Sequence, residues 1–245
     1  KRKNIAETTG WWNLLFPFDA DGDGDLDVLA GNAGLNTRLQ PTDAMPVKLY
    51  WADFDGNGNT EQLMTYYLQG KEIPFANKDE LLRQMPGLKK TYLYAADFAN
   101  ATLSELLTPQ KLKAATTLSA TSFASTIYIN EGNLKFTPHD LPWQAQLSAL
   151  RAAALVHANA NALPDLLVAG NFYNYNIQMG RSDADFGTML VNKGGGRFEA
   201  EPLNGAVIKG EVRRVLPLQL GKNKALVMAR NSDSLVLLQF GAKIK

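Results

Sequence analysis

The sequence predicts an all-β fold: about four β-propeller blades, possible members of a larger propeller, with one small α-helical insertion. Three observations lead there. Short apolar runs recur with the same turn chemistry about sixty residues apart. Two acidic nonapeptides sit between strand-like segments. One stretch alone carries helix start and stop signals.

The hairpin repeat is the clearest. Asn130-Glu131-Gly132-Asn133-Leu134-Lys135-Phe136 matches Asn192-Lys193-Gly194-Gly195-Gly196-Arg197-Phe198 as N-x-G-x-x-[K/R]-F. Each follows a short apolar run, Thr126–Ile129 or Thr188–Val191. A strand, a glycine-bearing turn and a strand opening at an aromatic residue is hairpin chemistry. A second repeat, Leu166–Asn171, resembles Leu226–Asn231, with Asp27–Asn32 as a third copy. Units of about sixty residues with several short strands suit blades that bury their faces against neighbours.

Between Glu61 and Thr126 the rhythm breaks by about 40 extra residues, helical in pattern. Asn77-Lys78-Asp79-Glu80 opens a segment with Leu81, Leu82 and Met85 that stops at Pro86-Gly87. Thr102-Leu103-Ser104-Glu105 is a capping-box pattern, and Gln110–Ala115 reads as another short helix. The expected insertion spans about 74–118. The domain reading is a single propeller region over 1–245, with a separate small α domain as the alternative.

Composition narrows function. The chain has 245 residues, with 25 Lys+Arg against 24 Asp+Glu, so no net field draws in nucleic acid or an anionic membrane. Cys is 0, which excludes disulfides, thiolate metal sites and a cysteine nucleophile, and His is 2, which leaves little for histidine triads. No apolar run is long enough to span a bilayer. The chain opens Lys1-Arg2-Lys3-Asn4, with no initiator Met and no signal-peptide core, and so reads as a piece of a longer protein.

The acidic loops carry the chemistry. Asp19, Asp21, Asp23, Asp25 and Asp27 alternate through one nonapeptide. Unneutralised, they repel one another. A hard divalent cation resolves this, and oxygens at positions 1, 3 and 5 of a tight loop match calcium. Gly24 permits the turn, Asp25 offers its backbone carbonyl and Asp27 closes the loop. An EF-hand is excluded: position 12 is Ala30 here and Met64 in the second loop, and the flanks, Trp11–Phe16 and Val28–Ala30, are strand-like. Asp53, Asp55, Asn57, Asn59 and Glu61 repeat the spacing with fewer carboxylates, so the second loop is expected to bind calcium more weakly. His157, Asn159, Asn161 and Asp165 keep the frame with one acid, and Ala162 replaces the turn glycine. That loop is expected to be held by Asx turns without calcium. The acids read as structural, since nothing else polar converges on them in sequence.

D-x-D-x-D-G-x-x-D between strands, at blade spacing, resembles the FG-GAP (VCBS-type) repeat of integrin α-subunit propellers and many bacterial surface proteins. Trp12-Asn13 through Asn36, Tyr50 through Tyr67, Phe123–Ser125, Leu141-Pro142, Ala145-Gln146, Gly170–Tyr173 and Gly180–Asp183 look like the C-terminal region of large bacterial FG-GAP proteins. Such proteins often carry an ASPIC/UnbV-type domain and are often exported or lipid-anchored. The resemblance implies a calcium-stabilised propeller and an extracytoplasmic place, at the cell surface or in the periplasm. It implies no catalytic activity. Its ligands fall on Asp19, Asp21, Asp23, Asp27, Asp53, Asp55, Asn57 and Glu61, with Asp25 and Asn59 through backbone carbonyls. The third loop departs from the pattern at His157, Asn159, Asn161 and Ala162.

The leading functional expectation is a non-catalytic adhesion or binding scaffold with a protein or glycan partner. A carbohydrate-binding module is the alternative, with Trp11, Trp12, Tyr173 and Tyr175 offering ring faces beside amides. A glycoside hydrolase-like enzyme is the third, using two carboxylates. Arg181 with Asp183 and Asp185 is the small polar group left for it. His139, after Pro138, reads as a surface turn, and Lys111, Lys113, Arg213 and Arg214 read as solvated charges.

Overall fold

The computed structural model describes residues 5, 8–133, 135–159, 161–203 and 205–239. Leu134 of the first hairpin repeat, Ala160 of the third loop and the opening Lys1–Asn4 lie outside them. The described residues form a mostly β structure of four antiparallel sheets with four short α-helices. The chain divides into two compact units: 1–38 with 123–245, and Leu39–Ser122.

The first unit holds three sheets. One contains β1 (Leu14–Phe18), β2 (Asp27–Gly31), β7 (Thr126–Asn130) and β8 (Phe136–Asp140) in that order. The next orders β12 (Phe198–Glu201), β11 (Thr188–Asn192), β10 (Asp165–Gly170) and β9 (Leu150–Val156). The last has β13 (Val212–Leu220), β14 (Asn223–Arg230) and β15 (Val236–Gln239). Both N-x-G segments are the turns of hairpins, β7–β8 and β11–β12.

The packing explains the sequence pattern. β10 is buried along its whole length. Its Leu166 and Val168 join Leu29, Ile127 and Leu190 in one core; Leu167 and Ala169 join Met189, Val212, Val215 and Met228 in another. Side chains alternate across a strand, so a strand buried on both faces reads as one continuous apolar run. The middle sheet therefore lies between the other two.

β1 starts at Leu14, so Trp11 and Trp12 lie outside the strand expected over Trp11–Phe16. His139 and Pro138 are in β8 rather than in a turn. β8 is a sheet edge, where proline's missing N–H interrupts no ladder.

The second unit is a sheet of order β5 (Lys71–Pro74), β4 (Glu61–Leu68), β3 (Val47–Ala52) and β6 (Thr116–Ala120), with helices α1 (Lys78–Gln84), α2 (Ala95–Asn100), α3 (Leu103–Leu106) and α4 (Pro109–Ala114). The helical stretch is narrower than 74–118, because Thr116–Ala120 pairs with β3 as a strand. At α1 the Glu80 N–H donates to Asn77 Oδ1 (3.0 Å) and the Asn77 N–H to Glu80 Oε2 (3.2 Å), closing the capping box. Leu81, Met85, Leu103, Leu106 and Leu107 pack on Tyr50 and Leu63 of the sheet and on Phe54 of the loop between β3 and β4. Among the described residues no helix is long and apolar enough to cross a membrane.

Candidate functional site

The three nonapeptides share one frame. Each joins two antiparallel strands, and its last acid pairs with the residue that ends the strand before: Phe18 with Asp27, Ala52 with Glu61, Val156 with Asp165. These closing acids are buried. Each accepts the N–H of the loop's second residue: Ala20 to Asp27 Oδ2 (2.6 Å), Phe54 to Glu61 Oε2 (2.7 Å) and Ala158 to Asp165 Oδ2 (2.6 Å). Asp27 and Asp165 also accept from the next strand, Asn130 N–H to Asp27 Oδ1 (2.7 Å) and Asn192 N–H to Asp165 Oδ1 (2.8 Å).

In the first loop the N–H groups of Gly22 and Gly24 donate to the two oxygens of Asp19, at 2.7 and 3.1 Å. Gly56 and Gly58 do the same to Asp53, at 2.7 and 2.9 Å. All four glycines have positive φ, 78–92°, which side-chain-bearing residues rarely adopt. Oxygens of Asp19, Asp21 and Asp27 gather within 4.8 Å of one another, and so do those of Asp53, Asp55 and Glu61. Asp23 and Asp25 are exposed and lie outside the first group, and Asn57 and Asn59 of the second loop are exposed too. Burial, followed by the charges of Asp23 and Asp19, raises the Asp21 carboxyl above its ordinary value. Burial likewise raises Asp27 despite the N–H groups of Asn130 and Ala20. The Gly58 N–H, with those of Gly56 and Asn57, holds Asp53 below the ordinary value.

The donor set fits a hard cation. Each group of three offers carboxylate oxygens, the ligands such an ion prefers. The third loop solves the same geometry differently. Asn159 Nδ2 points at Asp165, 3.3 Å from Oδ1 and 3.4 Å from Oδ2, and the Asn161 N–H closes an Asx turn on Asn159 Oδ1 (2.7 Å). An amide donor thus faces the closing carboxylate where the first loop brings two more carboxylates. His157 is exposed.

Polar groups beyond the loops do converge on them, contrary to the expectation from sequence. The Asn130 N–H reaches Asp27, and Lys111 Nζ donates to the Phe54 carbonyl (2.6 Å), so Lys111 is not merely solvated. Asn192 Nδ2 donates to the Ala20 carbonyl (2.7 Å) and ties the first loop to β11.

The aromatic residues divide. Trp11 meets Phe123 at 4.5 Å and Tyr175 at 6.1 Å, and Tyr175 meets Phe172 edge-on at 4.6 Å. Trp12 packs instead on Tyr128 at 6.3 Å. The Arg181 guanidinium lies 3.9 Å from the Tyr173 ring centre and pairs loosely with Asp183 at 3.9 Å. Asp185 makes no small polar site with Arg181. It is buried, accepts the N–H groups of Gly170 (2.7 Å) and Gly187 (3.2 Å), and burial pushes its carboxyl up to about 6. Arg213 is not a solvated charge: it stacks on Phe172 and bonds Glu211. Its signal in sequence is position, since Arg151 and Arg213 each follow the first residue of a hairpin strand.

No protein-family model matches the chain, and no curated protein matches it significantly.

Proposed function

We propose that this chain is a calcium-stabilised, non-catalytic binding scaffold of FG-GAP-like repeats, its four-stranded sheets acting as propeller-type blades in an extracytoplasmic protein. One observation carries the reading: two nonapeptides, one in each unit, gather three carboxylates apiece on the same hydrogen-bonded frame. A cation that binds only the folded loop stabilises the fold. Calorimetry in calcium against chelator tests it. Calcium is expected to raise the melting temperature by several degrees, and identical transitions in both conditions overturn the reading.

A second reading, carbohydrate binding, is favoured by the half-buried rings of Trp11, Phe172 and Tyr175, which cluster at the hairpin ends away from the acidic loops. Sugar rings stack on such faces, and neighbouring polar groups set their orientation.

A further inference from the structure

The first hairpin of each sheet in the larger unit has two ends. In two of the three, an acidic or amide loop joins the strands at one end: 19–27 between β1 and β2, 157–165 between β9 and β10. At the other end lie Asn13, Arg151 and Arg213, beside the residues that leave the second strand. The segment after β10 folds back there. Phe172 and Ser182 exchange both backbone hydrogen bonds, at 2.8 and 2.9 Å, which fixes the main chain at Phe172.

Two guanidiniums share that ring. Arg151 lies 5.0 Å and Arg213 5.5 Å from its centre. One carboxylate, Glu211, stands beside them, and it is already engaged: it accepts the Tyr173 N–H (2.8 Å), the Asn231 amide (2.8 Å) and Arg213 Nη2 (3.2 Å). Among the described residues, Arg151 has Asn13 Oδ1 on its Nη1 (2.9 Å), and its Nε is buried with no hydrogen-bond partner. A buried N–H without an acceptor is destabilising, and more so when the group is charged. Burial and the like charge of Arg213 both act against the charged form of Arg151. The arrangement is short of one anionic acceptor.

We propose that this cluster binds an acidic sugar, with the ligand's carboxylate on the Arg151–Arg213 pair and its ring against Trp11 and Tyr175. The proposal rests on the carbohydrate reading above and adds the charge of the ligand. Guanidiniums recognise carboxylates through paired N–H groups, and the flanking rings supply the stacking surface a pyranose needs. The site is distinct from the calcium loops, so its affinity does not require their acids.

The test is titration calorimetry of the intact chain in calcium with hexagalacturonate, with its fully methyl-esterified form and with a neutral hexasaccharide. Saturable binding of the free acid, weakened by salt and at least roughly tenfold tighter than the methyl ester, is expected. Arg151→Gln and Arg213→Gln are each expected to weaken it about tenfold or more. Two variants guard against misfolding, and melting curves identify which are folded. If both fail to fold, the loss of binding with salt and on esterification decides the matter. Equal binding of acid, ester and neutral sugar overturns the acidic preference and leaves the carbohydrate reading standing. No binding of any sugar overturns both. Undiminished binding by a folded arginine variant overturns the placement.

Discussion

Replacing Asp21 by Asn should exchange stability in chelator against stability in calcium. Oxygens of Asp19, Asp21 and Asp27 lie within 4.8 Å of one another. At that separation two unit charges repel by about 1 kcal/mol in water and about 3.5 kcal/mol at an effective dielectric of 20. Asp21 is partly exposed, which places the cost near the lower figure. Its raised carboxyl gives the same sign: an acid harder to ionise when folded weakens the fold at neutral pH. In chelator, Asp21→Asn is therefore expected to melt about 2–4 °C higher than the parent. In calcium the order reverses. Saturation at a hundred times the dissociation constant is worth about 2.7 kcal/mol, and the variant loses most of it. Asn159→Asp is the reciprocal change. It sets a charge against Asp165 where an amide now donates, so it should lower the melting point in chelator and make this loop respond to calcium. Both loops belong to the same unit, so one transition followed by scanning calorimetry reads both variants. If Asp21→Asn shifts melting equally with and without calcium, the ion-closure argument is refuted.

Three further outcomes follow from the packing. Asp185, pushed up to about 6 from the ordinary 3.8, holds its proton more tightly when folded, so stability should fall as pH rises from about 4 to about 6. The ceiling is about 3 kcal/mol, and urea titrations across that window should show a flattened slope in Asp185→Asn. Glu72 has the opposite sign: burial raises its carboxyl, but hydrogen bonds from Lys48 (2.9 Å), Thr65 (2.7 Å) and Tyr50 (3.0 Å) outweigh it and hold it below the ordinary value. Its contribution should be present above about pH 4.5 and lost as pH falls below that, a loss that Glu72→Gln should abolish in circular-dichroism melts. Gly170→Ala should cost several kcal/mol, at the large end of the ~0.5–3 kcal/mol range of single substitutions, because a Cβ there would overlap the Ala149 carbonyl; soluble yield and melting temperature report it.

The sequence made local rules visible where one residue type does one job. The N-x-G turns, the acid spacing and the Asn77 cap all rest on contacts within a few residues, and they stand where the pattern placed them. Helix α2 carries no start signal in the sequence, because Tyr94, at its N-cap position, makes no side-chain capping bond. Pro138 suggested a turn because proline is excluded from central strands, and only the sheet order reveals that β8 is an edge. The arginine cluster was illegible for a different reason. Arg151 and Arg213 are far apart in the chain, and the ring they share sits on a third segment. Which charges are solvated and which are stacked is decided by tertiary pairing, not by neighbours in sequence.

The loops separate two duties that their spacing alone runs together. The acid at the ninth position clamps backbone, and it does so in all three loops, with or without further acids nearby. Its burial and its bonds to main-chain N–H groups make its geometry indifferent to what fills the space in front of it. The first and third positions are the exchangeable ones: Asp19 and Asp21 bring further carboxylate oxygens up to the closing acid, whereas Asn159 brings an amide donor. The loops therefore differ in charge at those positions, and the closing acid belongs to the fold. By that division the second loop keeps acids at both exchangeable positions, Asp53 and Asp55, and differs from the first only further out, where the Asn59 N–H donates to Asn57 Oδ1.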